Sequence, residues 1–340
     1  MLQTLEPLHN SQGVMFDGFL EDNFAWKHWL PAKRDPEILE KLRQSGVFGR
    51  LATSEERGIT PYKKPWVGCL HNPQNMPEWF HFQFSPQTIF QKPIWKDSLE
   101  YCLGFFAFSR YHAEWIKEQT GKPVSVLVHP TEFPERQFEL AKFLENPRKQ
   151  IVQVGWWLRR LSAIYQLPLA RDNALKYEKL RLVPMFSNDA DSRLRNFIRQ
   201  ETEVFELNIP EPYAENTREE FHLSNGEYDR LLSQNIVFLY LYDASANNAV
   251  IECIARATPL LVNPLPAVVE YLGPSYPLYF SDLHEAAEKA LDVSLIEKAH
   301  DYLKACPTRL KLRNDYFLRS FIDSEVYQSL EMTRENGPRR

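Results

Sequence analysis

The run IVFLYLY, Ile236 to Tyr242, is apolar along its whole length. It ends at Asp243, a helix-length stretch (ASANNAVIECIARAT) follows, and PLLVN forms a second apolar run. Strands that alternate apolar and polar residues turn one face to water, whereas strands apolar throughout are buried on both faces. Two such runs flanking one helical segment are a βαβ unit of a parallel sheet with helices on both sides. The pattern recurs upstream in WVGCL, LGFFAFS, PVSVLVHP and QIVQVG, with helical segments such as RYHAEWIKEQTG between them. At 340 residues the chain exceeds one ordinary core, and an α/β protein of two domains is expected.

The divide is expected where polar ENPRKQ gives way to QIVQVG, giving domains 1–145 and 146–340. Before it, DPEILEKLRQSG reads as a helix with Pro in its first turn and Gly after its end. After it, LRRLSAIYQL, DSRLRNFIRQE and EYDRLLSQ read as helical, RLVPMFS as a strand and PEPYAENTREE as a polar connection. The last helical segments, SLIEKAHDYLKAC and DYFLRSFIDSEVYQSLE, are free to pack back on the first domain.

Net charge is −5, which argues against general affinity for nucleic acid or anionic membrane. The cysteines at 69, 102, 253 and 306 form no CxxC pair, a spacing that fits a reducing compartment rather than a disulfide framework or zinc site. No apolar run approaches the length of a membrane span, and MLQTLEPLHNSQG lacks the basic-then-apolar order of a signal peptide. A cytoplasmic protein is expected. Neither GxGxxG nor GxxxxGK[ST] occurs, so phosphate binding falls to helix N-termini, Arg and Lys.

In a βαβ unit, ligands sit beyond the carboxyl ends of the strands. Asp243 to Asn248 is the strand-to-helix turn at that rim. Ser245, Asn247 and Asn248 are all favoured N-cap types, and one cap is enough for one helix. Glu252 lies four residues past Asn248 on the same helical face, where a carboxylate can accept the hydroxyls of a ribose.

This order, with ECIARATPLLVNPLPAVVEYLG after the turn, resembles the nucleotide-sugar-binding C-terminal domain of GT-B glycosyltransferases of the retaining group 1 type. In many members a Glu, seven residues and a second Glu mark the spot. Glu252 stands at the second position; Ala244 stands at the first, beside Asp243. The resemblance implies two Rossmann-like domains facing each other across a cleft, with a nucleoside-diphosphate sugar as donor. It places Glu252 on the donor ribose, and Asn247, Asn248, Asp243 and Ser245 near the phosphates or sugar. QIVQVGWWLRR looks like the first strand of that domain and its basic loop, implying that Gly155, Arg159 and Arg160 lie at the diphosphate.

FFAFSRYHAEWIKEQTGKPVSVLVHPTEF resembles the end of a GT-B N-terminal domain, which sets Ser109 and His129 on its interdomain side. WVGCLHNPQNMP is similar to the strand-then-His-X-Pro loop that faces the acceptor. That makes His71 the candidate acceptor base or donor-sugar contact, since imidazole titrates near neutrality. Asp17, in VMFDGFL, is the second acceptor-side candidate. The implied activity is metal-independent transfer of a sugar to an acceptor hydroxyl, with no cofactor besides the donor. Three alternatives stand beside it. Asp189-Ala190-Asp191 has the DxD pattern of a metal-dependent GT-A enzyme, although Asp there also suits a helix start. Ala244 at the first Glu position fits a non-catalytic nucleotide-sugar-binding protein. A GT-B-fold epimerase acting on the nucleotide sugar is the third.

Overall fold

The computed structural model describes residues 1–26, 60–183, 190–221 and 223–335. The DPEILEKLRQSG segment and the part of RLVPMFS beyond Val183 lie outside the described residues. The chain divides into two compact units, Met1–His129 with Asn314–Arg340, and Pro130–Arg313.

The first unit holds four parallel strands in the spatial order β1 (Met15–Asp17), β2 (Trp66–Cys69), β3 (Cys102–Ala107) and β4 (Val124–Val126). The aromatic residues abundant in the sequence build its core: Trp95 stacks on Phe105 at 5.8 Å, and Trp66 meets Phe105 edge-on at 5.7 Å. The two final helices, Asn314–Ile322 and Glu325–Glu335, belong to this unit. Phe321 stacks on Phe106 of β3 at 4.6 Å, and the Val326 N–H donates to Ser125 Oγ of β4 at 3.1 Å. Gly104 of β3 admits that packing, because a Cβ there would stand 2.9 Å from Val326.

The second unit holds β5 (Gln150–Gln153), β6 (Glu178–Val183), β7 (Thr217–Phe221), β8 (Ile236–Leu239) and β9 (Leu260–Val262). All are parallel, in the order β7-β6-β5-β8-β9. The first three strands step one way from β5 and the last two step the other, which is a doubly wound Rossmann-like sheet. The order reverses between β5 and β8, and a crevice opens at the carboxyl ends of strands at such a point. β8 and β9 are buried throughout, as their unbroken apolar character requires, and β5 is buried too although a glutamine stands at each of its ends. β6 instead buries two cations on one face, Lys179 and Arg181.

Three features depart from the sequence reading. The units part at His129/Pro130 rather than 145/146, because 130–145 packs within the second unit: Phe138 and Phe143 are buried, and the Phe138 N–H donates to the Arg256 carbonyl at 2.9 Å. LRRLSAIYQL is not one helix. Leu158 takes a left-handed backbone (φ 56), the Arg160 N–H pairs with the Tyr240 carbonyl, and only Ala163–Gln166 is helical. TREEF, read as a polar connection, is the edge strand β7. No helix among the described residues is long and apolar enough to cross a membrane. The four cysteines are buried and unpaired.

Candidate functional site

The loops after β5 and β8 meet at the switch point of the second unit. They are zipped by backbone bonds, Arg160 N–H to Tyr240 O at 2.7 Å and Tyr242 N–H to Leu158 O at 2.9 Å, with Arg159 bridged to Leu241. The two adjacent arginines therefore sit on a fixed backbone.

Arg159 is held by three neutral oxygens. Its Nε donates to Val154 O at 3.2 Å, one terminal nitrogen to Trp157 O at 2.6 Å and the other to Asn247 Oδ1 at 3.2 Å. No carboxylate among the described residues forms an ion pair with it. Burial pushes its guanidinium down to about 10, with Tyr228 and Glu252 acting in the opposite direction, so it stays a cation at neutral pH. Gly155 makes this placement possible. Its φ is +76, and a Cβ there would stand 3.0 Å from the Arg159 guanidinium carbon. Gly155→Ala is expected to displace Arg159 and to lower stability by roughly 1–2 kcal/mol for the left-handed backbone alone. Denaturant unfolding and pyrophosphate titration read the two effects, and wild-type values for both would remove Gly155 from the site.

Arg160 lies over two aromatic rings, its guanidinium carbon 4.2 Å from the Tyr240 centroid and 5.3 Å from that of Tyr242. Its Nε is buried without a hydrogen-bond partner. A half-buried cation pair of this kind, with no ion-paired carboxylate among the described residues, is an anion-binding arrangement.

The helix Asn248–Arg256 starts at the same rim. Asn247 is its N-cap: Oδ1 accepts from the Ala249 and Val250 N–H groups at 3.0 and 3.3 Å besides holding Arg159. Asn247 thus places Arg159 and caps the helix, and its oxygen is fully used. Asn248 is exposed at the first helical position. Asp243 and Ser245 are buried, with Asp243 Oδ1 accepting from the Ala244 N–H at 2.8 Å. Ala244 is itself only 4% exposed. Glu252 is half-buried, and one carboxyl oxygen accepts from the Tyr228 hydroxyl and lies 3.9 Å from Arg256. The rim thus gathers Gly155, Arg159, Arg160, Asp243, Ser245, Asn247, Asn248 and Glu252.

His71 and Asp17 belong to the first unit, at the carboxyl ends of β2 and β1. His71 Nε2 lies 2.8 Å from the Gly18 carbonyl. A carbonyl only accepts, so Nε2 carries the proton and Nδ1 is the basic nitrogen. Glu21 fixes this turn: it is fully buried, and one oxygen accepts the N–H groups of His71 and Asn72, both at 2.6 Å. Burial pushes its carboxyl up, while His71 pulls it down. Asp17 spends both oxygens locally, one on the Phe19 N–H at 3.0 Å and one on the Tyr62 hydroxyl at 2.7 Å, which makes it a turn former. Ser109 caps the helix Arg110–Thr120 through the His112 N–H at 3.3 Å, and His129 packs against Phe108 at 5.0 Å. His112, which the sequence reading passed over, is buried with both ring nitrogens unpartnered, and burial pushes it down to about 3. It is neutral at any physiological pH. Asp189, the first residue of the DxD pattern, lies outside the described residues.

A cavity of about 390 Å³ lies elsewhere, at the amino ends of β6 and β7, lined by Arg171, Lys176, Glu178, Glu215 and Arg218 among others. Arg218 there pairs with Glu178 at 3.6 Å, and Arg171 donates to the Glu215 carbonyl at 2.9 Å. The rim, where neither Arg159 nor Arg160 forms an ion pair with a carboxylate of the described residues, is the stronger site.

No family model matches the chain, and no curated protein matches it in sequence. Solved structures do match in fold. An α,α-trehalose 6-phosphate synthase from Burkholderia multivorans is 13% identical with a TM-score of 0.56, over 99% of this chain and 75% of that one. A UDP-forming α,α-trehalose-phosphate synthase from Burkholderia xenovorans, in complex with glucose-6-phosphate, is 14% identical over 97% of this chain and 75% of that one, with a TM-score of 0.55. An E. coli trehalose-6-phosphate protein bound with UDP-2-fluoro glucose is 14% identical over 95% and 75%, with a TM-score of 0.54. At these identities the likeness shows the fold: that of the GT-B glycosyltransferases, two Rossmann-like units.

Proposed function

We propose that the chain moves a sugar from a nucleoside-diphosphate sugar to a sugar-phosphate acceptor, in the cytoplasm and without a metal ion. The observation that carries this reading is the pair Arg159 and Arg160. They are cations at the switch point of a Rossmann-like unit, fixed in place and in ion-pair contact with no carboxylate of the described residues. A diphosphate supplies the missing anion, and arginine binds it with directed, charge-assisted bonds. The GT-B fold supports a sugar nucleotide as its carrier. The ligands of the similar structures, UDP-2-fluoro glucose and glucose-6-phosphate, name the donor and acceptor classes to try first.

In this reading Glu252 accepts the ribose hydroxyls with the oxygen that Tyr228 does not hold. His71 takes the acceptor's hydroxyl proton on Nδ1, and the leaving diphosphate is stabilised by the arginines.

A thermal-shift panel of nucleosides, nucleoside diphosphates and their sugars tests the reading. Binding to the folded state raises apparent stability by mass action. Diphosphates are expected to raise Tm and free nucleosides to raise it far less; a flat panel would sink the proposal. UDP release from UDP-glucose with glucose 6-phosphate, undiminished in EDTA, tests transfer and metal independence. Glu252→Ala is expected to weaken UDP binding on the order of tenfold and pyrophosphate binding not at all. An equal loss for both ligands would rule out a ribose contact. One observation favours a second reading, binding without transfer: Ala244 presents no carboxylate at the rim. Tight donor binding with no turnover of any acceptor would select it.

A further inference from the structure

The arginine rim is backed by a carboxylate that touches neither arginine. Glu201 projects from the helix Ala190–Val204 and is 1% exposed. One of its oxygens accepts from the Leu161 N–H at 3.2 Å and from the Tyr242 hydroxyl; the other accepts from the Ser162 N–H at 2.6 Å. Leu161 and Ser162 directly follow Arg160. The Tyr242 ring lies beside the Arg160 guanidinium, and Phe205, just past the end of the Glu201 helix, stacks on that ring at 5.9 Å. Leu161 also packs with Val183 and Leu194, the last on the Glu201 helix.

We propose that Glu201 is the positioning residue of this rim. It fixes the backbone behind Arg160 and the Tyr242 ring beside it, so that Arg159 and Arg160 present their charge to one diphosphate. The inference rests on the diphosphate reading of the two arginines. Its logic is a division of labour. A carboxylate in ion-pair contact with Arg160 would cancel the charge the ligand needs. Glu201 instead spends its lone pairs on two amides and a phenol, so it orders the loop and leaves the guanidinium available. A glutamine of the same shape cannot replace it. Whichever way its amide turns, the NH₂ meets one of the two backbone N–H groups, and a buried donor is left unpaired.

The test uses the whole chain, with inorganic pyrophosphate and UDP as probes in calorimetry. Glu201→Gln is expected to keep a cooperative thermal transition and lose on the order of tenfold in affinity for both probes. Tyr242→Phe is expected to lose less. The double variant should be no worse than Glu201→Gln alone, because both substitutions break one chain of contacts. Additive losses, or unchanged affinity in Glu201→Gln, would overturn the assignment. Hydrogen exchange at the Leu161 and Ser162 amides separates this failure from failure of the diphosphate reading. If the wild-type chain binds neither probe, the diphosphate reading fails. Positioning of the loop still stands if those two amides exchange faster in Glu201→Gln, and falls if their protection is unchanged.

Discussion

Arg159→Ala is expected to weaken nucleoside-diphosphate binding about ten- to a hundredfold and to leave free-nucleoside binding unchanged. The size follows from one hydrogen-bonded charge, worth about 1.5–3 kcal/mol, at about 1.4 kcal/mol per tenfold. The selectivity follows from place: Arg159 sits in the loop after β5, held by Val154, Trp157 and Asn247, and a phosphate can approach it without displacing any carboxylate. Arg160→Ala is expected to act in the same direction. Arg160→Lys should recover little, because an ammonium lacks the planar, forked set of donors that a guanidinium offers a phosphate while resting on the Tyr240 and Tyr242 rings. Parallel titrations with nucleoside, nucleoside diphosphate and pyrophosphate decide the matter. Equal weakening of nucleoside and diphosphate would mean that the substitution disturbs the fold of the rim and not a phosphate contact.

The parts of this site that the sequence makes legible are those where local composition and tertiary role coincide. IVFLYLY and PLLVN read as buried parallel strands because both faces of β8 and β9 are covered and every residue must be apolar. The rim turn was visible because three helix-capping residues crowd one helix start. The structure assigns that cap to Asn247 and gives the same oxygen a second task in holding Arg159. Other parts are hidden by tertiary context. Helical spacing in LRRLSAIYQL is overridden at Leu158, whose backbone pairs with the loop after β8. TREEF is polar because an edge strand carries charge on its open side, so it lacks the strand signal. Glu201 had a readable sign. It continues the Leu194, Phe197 and Ile198 stripe of an amphipathic helix, where a carboxylate on the apolar face needs partners. Nothing local shows that those partners are amides of the arginine loop.

Lys179→Met is expected to stabilise the chain at pH 7, an unusual outcome for a core substitution. Lys179 lies on β6, fully buried, and its ammonium donates to the Leu167 carbonyl at 3.0 Å with the Tyr213 ring 5.7 Å away. The neighbouring buried cation, Arg181, has Glu219 at 2.9 Å, whereas no carboxylate of the described residues pairs with Lys179. Burial pushes its amine down to about 7 from 10.5. Between those two values the unfolded chain carries a proton that the folded chain lacks. Stability therefore rises with pH by about 1.4 kcal/mol per unit across the window and is flat below it. Methionine, unbranched and one atom shorter, fills most of the same space and removes the titration; the lost bond to Leu167 costs about 1 kcal/mol, less than the charge penalty it relieves at neutral pH. The advantage of the variant should be largest near pH 7 and shrink steadily toward pH 9. Urea unfolding of both proteins across that range measures it. A pH-independent difference would mean that Lys179 remains charged in the fold and that an anion pairs with it there.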